Sequence, residues 1–317
     1  MSTVIQMKPR SDTRGSAAPT GDIKALPVAR PGRWAAAVVV VLLATLVVRA
    51  IITDPGFQWP VVGEYLFNQD ILHGVVAVIY GTVIAMTLGV VLGVVLAVMR
   101  MSPNPVLKAC AWWYIFFFRG TPLLVQITFW FNIGALFPHI AIGIPFGPQL
   151  MQIDTNSLIN SFTAAVVLGL GLNEGAYMAE IVRGGILAVP AGQSEAAGAL
   201  ALTHTQTMRW IVLPQAMRVI LPPTGNQAIS MLKNMSMASV VGFGELFFAA
   251  TAIYSANYKV IPLLIVASVW YLALTSVAYV GQSVLERRGG RGYTRRDLKR
   301  TSRRPGFRAA GKSKVAA

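Results

Sequence analysis

A long stretch with few charged residues, set between two basic ends, constrains this chain more than any other feature of its sequence. Residues 34–285 hold only 17 charged side chains, whereas residues 1–33 carry six Lys or Arg and residues 286–317 carry twelve. Soluble domains contain about 25% charged residues, and this whole chain contains 12%. The sequence therefore predicts an integral membrane protein, because so few charges suit lipid better than water.

Six apolar stretches are long enough to cross a bilayer as helices, for which about twenty residues suffice. Their residue ranges are 34–52, 71–99, 110–137, 161–182, 226–250 and 260–285. Pro122 lacks an amide donor and is expected to kink the third stretch. The first stretch is expected to remain as an anchor, because no small-residue cleavage site of a signal peptide follows it. We therefore predict an all-α fold with six transmembrane helices.

The distribution of positive charge predicts the orientation of the chain. With the N-terminus in the cytoplasm, 23 Lys and Arg fall on inner segments and only Lys259 falls on an outer one. Loops rich in Lys and Arg remain on the cytoplasmic side. Residues 1–33 and 286–317 are thus expected to be basic cytoplasmic tails that contact anionic lipid rather than nucleic acid. The protein is expected to cross the cytoplasmic membrane several times.

The sequence shows no grouping of residues that would support catalysis or metal binding. Cys110 is the only cysteine, which excludes an intramolecular disulfide and a metal site built from cysteines. The three histidines lie far apart in the sequence and lack metal-ligand spacing. We expect no catalytic residue, no metal and no cofactor or nucleotide bound by this chain itself.

Polar residues inside the apolar stretches are the first candidate site. A charge within a membrane usually faces a cavity or a partner, so two interpretations stay open: a path for a zwitterionic solute, or internal pairing such as Arg119 with Glu174. The candidate residues of the path are Arg119, Gln126, Glu174, Tyr177, Glu180, Asn226, Lys233 and Ser236.

A row of small residues lies in the second apolar stretch. Its members, Gly81, Ala85, Gly89 and Gly93, recur at intervals of four residues. This spacing places them on one side of a helix and predicts the close approach of a neighbouring helix.

The loop between the fourth and fifth stretches is the second candidate site, since it is too long and too polar for a simple turn. Ser194 is expected to cap a first short helix, and Thr203 a second one that ends before Pro214. Two short helices across the cytoplasmic face suit the docking of a partner. The residues of this candidate site are Gly192, Gln193, Glu195, Ala196, Ala197, Ala201, Ile211, Leu213 and Pro214.

This loop resembles the signature loop of the binding-protein-dependent permeases of ABC importers. That signature is Glu-Ala-Ala, three residues, Gly, nine residues and Ile-x-Leu-Pro, and the present loop matches its spacing with Ala201 in the place of Gly. Four further segments resemble the polar amino-acid permeases: 118–126 (FRGTPLLVQ), 174–186 (EGAYMAEIVRGGI), 213–218 (LPQAMR) and 232–236 (LKNMS). In the last of these, Met235 replaces a small hydroxyl residue.

The resemblance implies a type I ABC importer permease fold over residues 71–285, with residues 34–53 as a peripheral extra helix. It implies a transport subunit, not an enzyme, that carries an amino acid or a related solute of the histidine, glutamate, glutamine, arginine or opine type. The implied partners are ATPase subunits that bind ATP and Mg²⁺ and dock on the loop, a second permease, identical or not, and an extracytoplasmic solute-binding protein.

Two other functions remain open. One is a proton-coupled secondary transporter that uses Glu174, Glu180 and Glu245 as a proton relay. The other is a membrane-anchored interaction protein whose Arg-rich C-terminal tail binds lipid, nucleic acid or an acidic partner.

Overall fold

The computed structural model describes residues 31–143 and 149–289, almost all of which are helical. The helices are α1 (Pro31–Thr53), α2 (Trp59–Tyr65), α3 (Gln69–Met101), α4 (Pro105–Gly120), α5 (Leu123–Phe131), α6 (Ile133–Leu136), α7 (Thr155–Leu158), α8 (Leu172–Leu187), α9 (Ala191–Ala199), α10 (His204–Thr207), α11 (Leu213–Asn234), α12 (Leu246–Asn257) and α13 (Val260–Gly289). The strands are β1 (His139–Gly143) and β2 (Gln149–Asp154). Two π-helical stretches, Thr163–Gly171 and Met208–Val212, lead into α8 and α11, and 3₁₀ turns cover Pro55–Phe57 and Met235–Val241.

The described residues form two compact units, residues 31–55 and residues 56–289 without 144–148. Helix α1 belongs to the first unit, and every side chain described between residues 35 and 53 is exposed. The hydroxyls of Thr45 and Thr53 each donate to a carbonyl one turn earlier at 2.8 Å, so they need no partner outside the helix. The helix predicted at residues 34–52 is therefore confirmed as an apolar element of spanning length.

The second unit contains three further elements long and apolar enough to cross a membrane. They are Gln69–Met101, Thr163–Leu187 and Val260–Arg287, which match the second, fourth and sixth predicted stretches. A fourth candidate is the pair His204–Val241 and Leu246–Asn257, which bends by 46° at its break. The sequence predicts one continuous span at residues 226–250. This prediction is wrong, because the helical structure is interrupted between Val241 and Leu246.

The third predicted stretch, residues 110–137, is divided rather than kinked. Helix α4 ends at Gly120 and α5 begins at Leu123, because Pro122 supplies no amide donor to the preceding turn. Neither piece reaches spanning length alone, so the described residues contain four candidate spans, or five with the bent pair. The predicted number of six is therefore not confirmed.

The predicted all-α fold class is confirmed, although one small antiparallel hairpin interrupts the helices of the described residues. Strand β1 pairs with β2, so that His139 lies opposite Asp154 and Ile140 opposite Ile153. The alternation of apolar and polar residues in β2 is typical of a strand. Strands of five and six residues are too short to be recognised as runs of about twenty apolar residues.

The row of small residues on α3 packs closely against a neighbouring helix. A Cβ atom at Gly89 would lie 2.5 Å from Cγ of Glu174, and one at Gly93 would lie 2.9 Å from the amide nitrogen of Ala179. The predicted close approach of a helix is thus confirmed, and the partner is α8. The contacts advance along both helices in the same direction, so α3 and α8 are parallel and their C-terminal ends lie together.

Glu245 fixes the break between the 3₁₀ stretch and α12. Its carboxylate accepts hydrogen bonds from the amides of Phe247 and Phe248 at 2.8 and 2.7 Å, and the Tyr271 hydroxyl donates to it at 2.6 Å. The residue is 0% exposed. A buried carboxylate with three donors acts as the N-cap of α12.

The basic tails lie mostly outside the described residues. In the C-terminal tail, residues 306–313 read GFRAAGKS and fit the spacing G-x-x-x-x-G-K-[ST] of a phosphate-binding loop, so the expectation that this chain binds no nucleotide itself stays a prediction. This spacing carries weight only where a strand precedes it and a helix follows it. These residues also lie outside the described ones, so the structure does not test the match.

Candidate functional site: a polar cavity and an exposed helical pair

The break at Pro122 is stabilised by two side-chain amides. The carbonyl of Phe118 would bond to the amide of residue 122 in a continuous helix, but proline has none. Nε2 of Gln126 donates to this carbonyl at 3.0 Å, and Nδ2 of Asn173 donates to it at 2.8 Å. Two side chains thus replace the missing backbone donor.

Gln126 also binds the loop that the break creates. Its Nε2 lies 3.1 Å from the carbonyl of Thr121 and 2.6 Å from the Thr121 hydroxyl, and its Oε1 accepts from Asn173 at 3.2 Å. The side chain is 4% exposed. The structure therefore places Gln126 behind the wall of the neighbouring cavity, where it fixes the position of Gly120 and Thr121.

A cavity of about 510 Å³ opens beside this break. It lies between the α4–α5 junction, α8, α11 and the 3₁₀ stretch. Its lining is largely polar, which suits a hydrated solute better than a lipid chain. The polar residues of the lining are Arg119, Thr121, Asn173, Glu174, Tyr177, Gln227, Ser230 and Asn234.

The two charged residues of the cavity do not neutralise each other. The guanidinium of Arg119 lies over the ring of Tyr177, 5.2 Å from its centroid. Nε2 of Gln227 lies 3.3 Å from both carboxylate oxygens of Glu174. Within the described residues Arg119 and Glu174 form no ion pair, so the internal pairing that the sequence left open is not what the structure contains. Both side chains line the cavity.

The other predicted path residues lie away from this cavity. Glu180 forms an ion pair with Arg183 at 2.6 Å, and Asn226 accepts from Gln282 at 3.0 Å. Lys233 is exposed. The hydroxyl of Ser236 donates to the Lys233 carbonyl at 2.8 Å.

Several lining residues are absent from the predicted path, although helical spacing identifies them. Gln227, Ser230 and Asn234 lie three and four residues apart on α11, so they share one side of that helix. Asn173 likewise lies four residues before Tyr177 on α8, and Tyr177 is itself a predicted path residue. Polar residues that recur every three or four positions within a span are therefore the sequence signal that identifies these lining residues.

The carboxylates of the postulated proton relay are not connected. Glu174 meets Gln227, Glu180 meets Arg183, and Glu245 caps α12. The hydrogen bonds of the described residues form no chain between them. The structure therefore gives this alternative no support.

The loop after α8 contains two short helices, as the sequence predicts, but with different ends. Helix α9 begins at Ala191 after Pro190, so Ser194 lies in its second turn and is not its cap. Thr203 does cap α10, in a reciprocal capping box with Gln206. The second helix does not end before Pro214, because a π-helical turn precedes this residue and joins α10 to α11.

The turn between the two short helices is a Schellman motif. The amide of Leu202 bonds to the carbonyl of Ala197 at 3.1 Å, and that of Ala201 bonds to the carbonyl of Gly198 at 2.9 Å. Ala201 has a φ of 55°, the left-handed conformation that glycine adopts most easily at this position. Ala201 thus keeps the tight turn at an energetic cost.

Most of the predicted docking residues are exposed. Gly192, Gln193, Glu195 and Ala196 face outward on α9, whereas Ala197 packs inward. Gln193 accepts a hydrogen bond from Gln215 at 3.3 Å, which ties α9 to α11. The pair α9–α10 therefore presents a surface whose movement would be transmitted to a helix that lines the cavity. Ile211 is half-buried, and Leu213 and Pro214 are exposed.

The helices of this bundle are broken, a polar cavity lies beside one of the breaks, and the pair α9–α10 is exposed. These features are typical of a membrane transport protein. Residues 89–290 match the model of the family described as "Binding-protein-dependent transport system inner membrane component". The chain belongs to this family. It is the permease of an ABC importer of amino acids, as its relatives confirm.

The chain is 45% identical over 275 residues to the arginine transport system permease protein ArgU of Corynebacterium glutamicum, covering 86% of this chain and 85% of that protein. It is 34% identical over 239 residues to the probable amino-acid ABC transporter permease protein YckA of Bacillus subtilis, covering 73% and 96%. A solved structure, described as an amino acid ABC transporter with histidines, has a TM-score of 0.59 and 37% identity over 70% of this chain and 95% of that one. The relatives are permease subunits, not catalytic subunits.

Proposed function

We propose that the cavity beside Pro122 binds the amino acid during its passage through this permease. Arg119 would receive the carboxylate of the solute, and Glu174 its ammonium or a cationic side chain. The observation that supports this role is that two opposite charges line one cavity without pairing with each other. An unpaired intramembrane charge is expected to serve a substrate or ion.

Arginine is the first solute to test. The relative with 45% identity is named as an arginine transport permease. A solute with a carboxylate and a guanidinium would complement Arg119 and Glu174, because guanidinium binds carboxylate with two parallel hydrogen bonds. Competition against labelled arginine by other cationic, acidic and apolar amino acids measures this preference.

We propose that one ATPase subunit docks on the pair α9–α10 of this chain, and that a second ATPase subunit docks on the corresponding loop of the other permease. The exposed residues of α9 and the Ala201 turn would form the contact, and Gln193 and Gln215 would transmit movement to α11. ATP and Mg²⁺ would be bound by these subunits. A second permease and an extracytoplasmic solute-binding protein would complete the importer, with both ends of the present chain in the cytoplasm.

Uptake by the whole complex in proteoliposomes tests the cavity. Arg119→Gln and Glu174→Gln should each reduce ATP-dependent arginine uptake by tenfold or more, on the order of one lost charge-assisted hydrogen bond. Lys108→Gln is the matched control, because Lys108 is an exposed cation at the start of α4 that lies outside the cavity. Uptake at the control rate in both cavity variants, with normal assembly, would contradict the proposal.

Labelling of a single cysteine tests the orientation and the docking surface. Gln193→Cys in a Cys110→Ser background should react with an impermeant reagent only from the cytoplasmic side. Bound ATPase subunits should protect it from the reagent. Reaction from the outer side alone would overturn the docking role.

A further inference from the structure

A second cavity of about 490 Å³ adjoins the first one. The two cavities share three residues of their lining, Arg119, Gly120 and Tyr177. The remaining residues of the second lining are Arg100, Trp112, Ile115, Phe116, Glu180 and Arg183. Arg119 and Tyr177 therefore form part of the partition between two polar chambers.

The second cavity lies toward the end of the bundle from which α9 emerges. Helices α3 and α8 are parallel, and Arg100 and Arg183 both lie near their C-terminal ends. Along α8 the first cavity uses residues 173–177 and the second uses residues 177–183. The order along this helix is thus the first cavity, the partition, the second cavity and then α9.

The second cavity contains charges that could hold the same kind of solute. Glu180 and Arg183 are paired with each other and are both partly exposed, at 24% and 34%. Arg100 is half-buried, and its guanidinium makes no hydrogen bond or ion pair within the described part of the chain. A cation in a cavity without its own anionic partner is suited to a carboxylate.

The partition is the contact between Arg119 and Tyr177, and this contact can open. The guanidinium of Arg119 rests 5.2 Å from the centroid of the Tyr177 ring, a cation–π contact that is weaker than a bidentate ion pair. Gly120 adjoins Arg119, and a Cβ atom there would meet no heavy atom within 4 Å. Arg119 itself is exposed, so its side chain can change direction without displacing packed neighbours.

We propose that the second cavity is an inner station for the amino acid, and that Arg119 passes the solute carboxylate from the first cavity to Arg100 when it leaves the Tyr177 ring. At this station Glu180 receives the solute ammonium, which weakens its pair with Arg183. The inference rests on the proposed function of the first cavity and extends it by one binding step.

The test uses the complete importer in proteoliposomes with labelled arginine as the probe. Arg100→Gln should lower the maximal uptake rate about tenfold, the effect of one charge-assisted contact, and leave the half-saturating concentration unchanged because delivery to the first cavity is intact. Arg100→Lys should recover part of the rate, and Lys108→Gln should match the wild type. Equal yields of assembled complex exclude a folding defect.

The partition is tested separately with preloaded liposomes in the absence of ATP. Tyr177→Ala should increase the leak of arginine severalfold, whereas Tyr177→Phe keeps the ring and should retain the wild-type leak. A leak in Tyr177→Ala equal to that of the wild type would overturn the gating role.

Three results would refute the inner station. If wild-type uptake is normal and Arg100→Gln equals Lys108→Gln, the second cavity has no transport role, and the first keeps its own. If Arg100→Gln lowers uptake only in liposomes with anionic lipid, the cavity is a headgroup site instead. If the wild-type complex shows no ATP-dependent arginine uptake, both proposals fail for this solute.

Discussion

Replacement of Gln126 by Met tests how the break between α4 and α5 is stabilised. Met has similar length and volume but lacks the amide, so the substitution removes hydrogen bonds while it nearly conserves packing. The site is suitable because Gln126 is 4% exposed. Any loss of stability therefore reports mainly on the polar contacts of its side chain.

The structure gives the expected magnitude. An amide group has two hydrogens, so Nε2 of Gln126 satisfies at most two of its three nearby acceptors. Phe118 keeps the bond from Asn173, which leaves the Thr121 carbonyl and one Asn173 N–H without a partner. Each unsatisfied buried group costs about 1–3 kcal/mol. Since Thr121 and Asn173 are half-buried, we expect a total loss of about 2–3 kcal/mol.

A double-mutant cycle separates the pair from the single residues. Gln126→Met, Asn173→Leu and the double variant are compared by the free energy of unfolding in bicelles, followed by denaturant titration. Hydrogen-bonded pairs in membranes couple by about 0.6 kcal/mol on average and by about 1.7 kcal/mol at most, and the coupling of this pair should lie between these two values. Uptake per folded complex should also decrease, because the position of Arg119 depends on the break.

Asn132→Leu provides the control for this measurement. Its side-chain amide also donates to a backbone carbonyl, that of Thr128 at 2.8 Å, but the bond is exposed. Its loss should cost less than about 0.5 kcal/mol. A Gln126→Met variant as stable as this control, with no coupling to residue 173, would refute the role assigned to Gln126.

Three further predictions concern packing, the docking turn and a buried cap. Gly93→Val should destabilise the protein by about 1–3 kcal/mol, because its side chain would enter the space of Ala179. Ala201→Gly should stabilise the α9–α10 turn by about 0.5–1 kcal/mol, measured by protection of the turn from proteolysis, with uptake retained. Tyr271→Phe should cost about 1–2 kcal/mol by removing one donor from Glu245, and uptake per folded complex should not change.

Each of these results has a matched comparison. Gly281→Val has no heavy atom near its new Cβ, so a loss equal to that of Gly93→Val would contradict close packing of α3 on α8. Ala199→Gly makes the same exchange in the same short helix at a residue without positive φ, and it should lower protection rather than raise it, because glycine inside a helix is destabilising. Abolished uptake in Tyr271→Phe, with normal stability, would revive Glu245 as a proton carrier.

The sequence predicts the long elements of this fold well because they depend on local composition. A run of apolar residues such as 71–99 or 260–285 needs no tertiary information to be recognised. The row of small residues on α3 likewise predicts a close helix contact, although not that its partner is α8.

Elements that depend on distant partners are predicted less well. Pro122 indicates a disturbance, but a clean break becomes stable only because Gln126 and Asn173 supply donors to Phe118. The bend near Glu245 similarly depends on Tyr271, which is far away in the sequence. No local pattern contains these contacts.

Two buried carboxylates show why the residues of the candidate site could not be identified from the sequence alone. Glu174 is 5% exposed and Glu245 is 0% exposed, and both lie within apolar stretches of the sequence, so sequence and burial rank them alike. Glu245 holds three donors at 2.6–2.8 Å, two of them backbone amides, and a solute cannot replace them without unfolding the start of α12. Glu174 has a single amide of Gln227 at 3.3 Å and faces a cavity, so a solute ammonium offers it a stronger bond than the one it would lose. The strength and replaceability of the donors, more than burial, therefore decide which of the two can take part in transport.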